Sequence, residues 1–399
     1  MKPGWSLLGP AFVAAIAYVD PGNIAANVSA GARFGFLLVW VIVVANVMAG
    51  LVQYLSAKLG LVTGSTLPEA VRDRTGTPGR IAYWVQAELV AIATDVAEII
   101  GGAIALQLLF GLPMVLGGAI TGLVSLMLLM IGDRRGQRTF ERVITGLLMV
   151  ITIGFLASLV VNPPQPAAVI GGLIPRFDGV HSVLLATAMM GATVMPHAVY
   201  LHSGLARDRH GHAPPGPARV RLLRATRWDV GIAMLVAGSV NLALLLVAAT
   251  NLRGREGTDT IEGAHAAVGD TLGPGVALFF AIGLLASGLA STSVGAYAGA
   301  MIMQGLLRKT YPLLVRRLIT LIPALLVLAT GTDPTRALVL SQVVLSFGIP
   351  FALVPLVRLT ANRSLMGRDA NSPLTSALAW SVAALITLLN GALIYLTVT

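Results

Sequence analysis

The sequence predicts an all-α membrane protein of eleven transmembrane helices, built as two inverted five-helix repeats with the first and sixth helices broken. Three observations predict it. Apolar stretches long enough to span a bilayer recur along the whole chain. Basic residues gather in alternate loops. Two proline-centred interruptions fall in matching spans, at Asp20-Pro21-Gly22-Asn23 and at Met195-Pro196-His197.

The 399 residues are 56% hydrophobic and only 11% charged, where an ordinary soluble domain carries about 25% charged residues. The mean hydropathy of +0.84 agrees. No soluble globule of this size has interior enough to hide that much apolar surface, so the bilayer must serve as solvent. Cysteine is absent, which excludes disulfides, thiolate metal cages and sulfur redox chemistry. The net charge of +10 does not point to nucleic acid, because the charges lie in loops.

A spanning helix needs about 20 mostly apolar residues. The candidates run over roughly 6–31, 36–60, 81–110, 113–131, 140–162, 180–204, 228–250, 274–307, 312–330, 334–358 and 374–398. Between them no stretch is long enough for a separate soluble domain, so residues 1–399 read as a single transmembrane domain. The longest polar connections are 61–80, 205–227 and 251–273. No cleavable leader is expected, and the first helix should be retained. With the N-terminus in the cytoplasm, the outer loops hold only Arg33, Arg176, Arg253, Arg255 and Arg336, and the inner side takes the other 22 of the 27 Lys and Arg residues. The positive-inside rule then sets the N-terminus in the cytoplasm and, after eleven spans, the C-terminus outside. The expected location is the plasma membrane. The basic loops also suit contact with anionic lipid.

Each break lies in mid-span. A proline inside a helix removes one hydrogen bond and clashes with the preceding turn. In hydrocarbon the freed backbone groups need protein, water or a ligand. A lone membrane proline is commonly just a kink. Here both breaks carry polar side chains, and Pro21 and Pro196 stand 175 residues apart. That separation matches one repeat of five spans, about 6–162 and 180–358, with 374–398 as an extra helix. Five is odd, so the second repeat runs inverted. Paired interrupted helices in inverted repeats point to a midplane substrate site, and the carbonyls that end a half-helix suit a cation.

Asp20 places a carboxylate near the bilayer centre, at a cost of about 3 kcal/mol even on the lower scales, and so calls for a partner or a function. Asn23 adds an amide oxygen. Met195 adds a thioether, which is either plain core filler or a soft ligand. Mg²⁺ and Ca²⁺ prefer all-oxygen shells, whereas a thioether favours later, more polarizable metals. A mixed shell of carboxylate, amide, thioether and backbone carbonyl suits Mn²⁺, Fe²⁺, Co²⁺ or Cd²⁺.

The third span carries Glu88, Asp95 and Glu98, whose spacings of 7 and 3 share one helix face. They are either proton carriers, since burial and mutual repulsion move carboxylates towards the working pH, or a bracing ion-pair network with Arg316 and Arg317 of the ninth span. A network can serve both ends. His197 and His202 follow the second break; histidine titrates near neutrality and can relay protons, but a spacing of 5 denies them the shared face of an i, i+4 ligand pair. They read as residues of the inner vestibule.

At these residues the chain resembles the Nramp family of proton-coupled divalent metal transporters, the natural resistance-associated macrophage proteins that include bacterial manganese importers. The likeness runs through GPAFVAAIAYVDPGNIAANVSAGARFGF, KLGLVTGSTLPEAV, ATDVAEIIGGAIAL, VMPHAVYLHS and SQVVLSFGIPFALVPL to the last span. The resemblance implies a LeuT-type fold working by alternating access. It implies side-chain metal ligands at Asp20, Asn23 and Met195 and backbone carbonyls at Ala192 and Ala17 in different conformations. Gln342, in an interrupted tenth span, would approach the metal when the outer gate closes. Asp95 would take a proton leaving the site, and Glu88, Glu98, Arg316 and Arg317 would form the polar path between the third and ninth spans. Two departures from the family pattern, at Gly288–Thr292 and Ala298–Ala300, bear on gating or coupling rather than on the metal ligands.

The resulting expectation is a secondary transporter that imports divalent transition metal with protons, with no resident cofactor and working as a monomer. Rival readings are a magnesium transporter of the same fold, which should lack the soft ligand, and a sodium-coupled organic-solute transporter, which should lack the acid at the first break. A non-transporting receptor would have no use for intramembrane acids and paired breaks. No nucleophile–base pair or phosphate loop suggests an enzyme.

Overall fold

The computed structural model describes residues 9–135, 137–255, 257–309 and 312–398. Among the described residues there is helix and no strand. The helices are α1 (Pro10–Ile16), α2 (Pro21–Phe34), α3 (Val39–Thr63), α4 (Leu67–Arg72), α5 (Thr77–Phe110), α6 (Met114–Arg135), α7 (Gln137–Val161), α8 (Pro166–Gly171), α9 (Gly179–Thr193), α10 (Pro196–His210), α11 (Pro217–Asn251), α12 (Ile261–Leu272), α13 (Pro274–Leu307), α14 (Leu313–Ala329), α15 (Pro334–Ala361), α16 (Arg363–Met366) and α17 (Pro373–Val398). Among the described residues, eight helices, counting α9 and α10 as one, are long and apolar enough to cross a membrane. Shorter apolar helices at Pro10–Val19, Met114–Met130 and Arg317–Ala329 fall in the remaining three expected spans.

Both expected breaks are present, and they use one local geometry. After α1 a 3-10 turn covers Ala17–Val19, Asp20 is extended, and Pro21 opens α2. After α9, Val194 leaves helical geometry, Met195 is extended, and Pro196 opens α10. The residue before a proline is driven out of the helical region, and proline at the first helical position lacks only an amide that would be unpaired anyway. Asp-Pro and Met-Pro therefore stop one helix and start the next in the same step. The tenth span departs from expectation. It is a continuous helix, α15, with Pro350 and Pro355 inside it. Each proline removes one hydrogen bond, but the helix resumes without an extended residue.

Packing follows the repeat pattern. The half-helix α2 lies against α11, and α10 lies against α3. The partners α5 and α13 pack on each other, as do α6 and α14. Small residues make the close approaches: a Cβ on Gly101 of α5 would overlap the Pro21 ring, and one on Gly191 of α9 would overlap the Gln342 carbonyl and Ser346 of α15. Membrane helices associate through such contacts, since the lipid is as apolar as the side chains. The outward faces carry Val47, Leu89, Leu235, Leu326 and Leu388, as a lipid-facing surface requires. At the N-terminal end of α15, α12 is tied to it by the Ile261 amide, which donates to Thr335 Oγ1 at 3.0 Å. Beside it, burial foremost holds the Glu262 carboxyl above the usual carboxylate range, with Asp333 adding to the effect.

Candidate functional site

Asp20, Asn23, Ala17, Ala192, Met195 and Gln342 all have no accessible surface. The first break builds its own cap. As the N-cap of α2, Asp20 accepts the Asn23 amide through Oδ1 at 2.8 Å. This is the usual helix N-cap bond, and it sets the carboxylate at the positive end of α2. The Asn23 side chain then joins the two breaks. Its Nδ2 donates to Asp20 Oδ1 and to the Ala192 carbonyl, each at 2.8 Å. Thr193 Oγ1 donates to Asn23 Oδ1 at 3.4 Å. An amide NH₂ carries partial positive charge, so it stands where a carboxylate oxygen and a helix-terminal carbonyl oxygen converge. Met195, three residues past Ala192, is the N-cap of α10 and makes no side-chain cap bond.

Gln342 closes the α2–α9 side. Its Nε2 donates to Asp20 Oδ2 at 3.4 Å and to Ser341 Oγ at 3.2 Å, and its side chain lies in the space a Cβ on Gly22 would need. Gln342 Oε1 has no hydrogen-bond partner among the described residues. The α1–α10 side is closed by a polar chain: Gln53 Nε2 donates to the Tyr18 hydroxyl, and Gln53 Oε1 meets His202 Nδ1 at 2.6 Å. The centre is thus shut from both ends of the bundle.

The remaining helix-end groups of α1 are held by residues the sequence did not single out. Asn241 of α11 donates to the Tyr18 carbonyl at 2.7 Å and accepts from Asn27 Nδ2 at 3.1 Å. Ser287 of α13 donates to the Val19 carbonyl at 2.5 Å. A lone Asn or Ser in an apolar span was the only available signal, and it does not name its partner.

Of the acid stripe, Asp95 and Glu98 are buried and Glu88 is half-buried. Arg317 of α14 donates to Asp95 Oδ1 at 2.8 Å, with both side chains 5% exposed or less. The side chain of Arg316, one residue earlier, lies outside the described residues. Both Glu98 carboxylate oxygens lack a hydrogen-bond partner among the described residues. Gly101, three residues on, abuts Pro21, so the stripe runs beside the first break. His197 and His202 diverge, as their spacing requires. His197 Nδ1 is 3.4 Å from Thr94 Oγ1 of α5, whereas His202 faces α3. Neither lines an open vestibule, for both are buried; the chain through Gln53 and Tyr18 closes that end.

A buried carboxylate between two half-helices, inside inverted repeats, fits a membrane transporter of the LeuT-type architecture. The chain belongs to the Nramp family: the family model described as natural resistance-associated macrophage protein-like matches residues 11–396. A Mycobacterium tuberculosis protein named divalent metal cation transporter MntH is 71% identical over 399 residues, covering 100% of this chain and 93% of that relative. A protein of the same name from Mycobacterium leprae is 66% identical over 399 residues, covering 100% and 94%. The crystal structure of the manganese transporter of Eremococcus coleocola superposes with a TM-score of 0.87 at 31% identity, over 98% of this chain and 87% of that one. The nucleobase-cation-symport-1 family transporter Mhp1 gives a TM-score of 0.62 at 17% identity, over 98% and 92%, a likeness of fold alone.

Proposed function

We propose that this chain imports divalent transition-metal ions, Mn²⁺ foremost, together with protons by alternating access. The observation that carries the reading is the position of the Asn23 amide, which donates to Asp20 and to the Ala192 carbonyl at the meeting of the breaks. A divalent cation would take the same two oxygens as ligands. Asn23 would turn its own oxygen inward, and Met195 would add a soft donor that disfavours Mg²⁺ and Ca²⁺. The Ala17 carbonyl would serve in another conformation of α1, and Gln342 would approach the ion from the outer gate. The relatives and structural neighbour named for divalent metal or manganese transport support the same cargo.

Asp95 would accept the proton displaced from the centre. Glu98, Glu88, Arg316 and Arg317 would line its path, and His197 and His202 would shape the pH response. The two repeats would rock about the breaks, with the N-terminus cytoplasmic and the C-terminus outside in the plasma membrane. An inward-negative potential favours cation import by about 2.3 kcal/mol per charge per 100 mV. The metal is cargo rather than a resident cofactor, the working unit is the monomer, and no catalysed bond change is invoked.

The test is Mn²⁺ uptake into proteoliposomes carrying a luminal pH dye, with excess Mg²⁺ and Ca²⁺ as competitors. Uptake with acidification and weak competition is expected, and Asp20→Ala should abolish it. Normal uptake by Asp20→Ala, or equal competition by Mg²⁺, would overturn the assignment.

A further inference from the structure

A polar cavity lies outside the meeting of the breaks, at the end of the bundle where α3 stops and α17 starts. It has a volume of about 350 Å³. Its walls come from α3 (Tyr54, Lys58), α11 (Arg224, Arg227), the segment leading into α17 (Arg368, Ser372) and the first turn of α17 (Thr375). Lys58 is 5% exposed. Its ammonium donates to the Asp369 carbonyl at 3.0 Å and to Asn371 Oδ1 at 2.5 Å, so it is fixed in the cavity wall. The one carboxylate in the lining, Asp369, is engaged outside this set, by Arg219 at 2.9 Å. Arg227 sits over the Tyr54 ring, 4.9 Å from its centroid. Arg224 and Arg368 make no salt bridge among the described residues.

Positive charge on inner loops satisfies topology wherever it lies. It does not require three arginines and a buried lysine to converge on one concavity. Nor does it explain the other wall. Ser372 Oγ accepts the Thr375 amide at 3.2 Å and lies 2.9 Å from Thr375 Oγ1, which brings two hydroxyls and the N-terminus of the 26-residue helix α17 to the same space. Cations, hydroxyl donors and a helix N-terminus together are the groups that hold a phosphate. The depth is also specified. Trp228, next to Arg227, and Leu374 and Leu378 on α17 are exposed, so the cavity opens beside surface that faces hydrocarbon, and tryptophan prefers the interface.

We propose that this cavity binds the phosphate headgroup of an anionic phospholipid in the inner leaflet. The headgroup would bridge α3, α11 and the start of α17. Since α3 grips α10 and α11 grips α2, the lipid would brace the two helices that hold the broken half-helices.

The test is native mass spectrometry of the intact chain released from nanodiscs of phosphatidylcholine and phosphatidylglycerol. The variant is Arg224→Gln/Arg227→Gln/Arg368→Gln, and the control is Arg221→Gln/Arg308→Gln/Lys309→Gln, which removes equal charge from the same side outside the cavity. Each cation near an anionic surface contributes about fivefold, so the variant should lose on the order of a hundredfold in preference for the anionic lipid. The control should keep its most tightly retained lipid. A parallel arm measures thermal stability in neutral detergent with inorganic phosphate or phosphatidylglycerol; only the lipid should raise it, and only in protein with the three cavity arginines. Equal lipid loss in both variants would reduce the effect to bulk charge and overturn the site. An equal shift with inorganic phosphate would make the ligand a soluble anion and overturn the lipid assignment.

Discussion

Arg317→Gln, alone and combined with Asp95→Asn, separates the two roles that the acid stripe could play. The pair meets at 2.8 Å with both side chains 5% exposed or less. Removing one partner of such a pair leaves a buried charge without compensation, which costs about 3–5 kcal/mol, while replacing both ions by neutral groups is often close to neutral. Arg317→Gln should therefore destabilise the chain by about 3–5 kcal/mol in mixed-micelle unfolding. Asp95→Asn/Arg317→Gln should recover part of that loss, since neither buried charge is then left without its partner. If the pair also carries protons, the stable double variant still takes up Mn²⁺ but loses the pH dependence of uptake and the luminal acidification. If it only braces the bundle, the double variant keeps the wild-type pH profile. An Arg317→Gln chain within about 1 kcal/mol of wild type, or a double variant no more stable than the single, would refute the claim that this is a desolvated, mutually dependent pair.

Two further outcomes follow from named contacts. Met195→Ala should retain part of the Mn²⁺ transport but admit Ca²⁺ and Mg²⁺ more readily, read as their competition against Mn²⁺ uptake; unchanged discrimination would remove the thioether from the ligand set. Asn241→Leu leaves the Tyr18 carbonyl and the Asn27 amide without their partner. At about 0.6 kcal/mol for an average interhelical hydrogen bond in a membrane, the two bonds predict a loss of only about 1 kcal/mol in unfolding free energy but a clear fall in uptake, because the end of α1 loses its fix; full uptake would show that the carbonyl needs no side-chain support.

Much of this architecture was legible because the bilayer simplifies the code. Apolar length alone marked the spans, and Asp-Pro and Met-Pro marked the breaks, since no helix passes unaltered through those pairs. Polar extensions of helices were less legible. α11 begins at Pro217 rather than near 228, because PARVRLLRATRW is amphipathic and helical while failing any test of spanning hydropathy. Helix α4 was hidden in a loop although Thr66 and Glu69 form a reciprocal capping box there. The tenth span misled in the other direction. Pro350 and Pro355 are the same residue type that ends α1 and α9, yet α15 continues through both. Proline breaks a span where the preceding residue turns extended, and Asp20 shows why that happens at the first break: its side chain takes over the amide bonds that the helix gives up.

The breaks share a backbone solution and differ in the side chain at one position, and that difference bears on the chemistry of the centre. At the N-cap of α2, Asp20 spends Oδ1 on its own helix and on Asn23, and Oδ2 takes the 3.4 Å contact from Gln342. At the equivalent position of α10, Met195 caps nothing, so its thioether is not committed to the backbone. One half-site thus holds a charge oriented by its helix, and the other holds a polarizable group with no competing bond. A carboxylate at both N-caps would have stacked two charges in a dry centre and favoured hard ions; a methionine at both would have left a divalent cation uncompensated. Under the proposed function, the asymmetry between two otherwise matching turns would let one centre both neutralise a transition metal and discriminate for it.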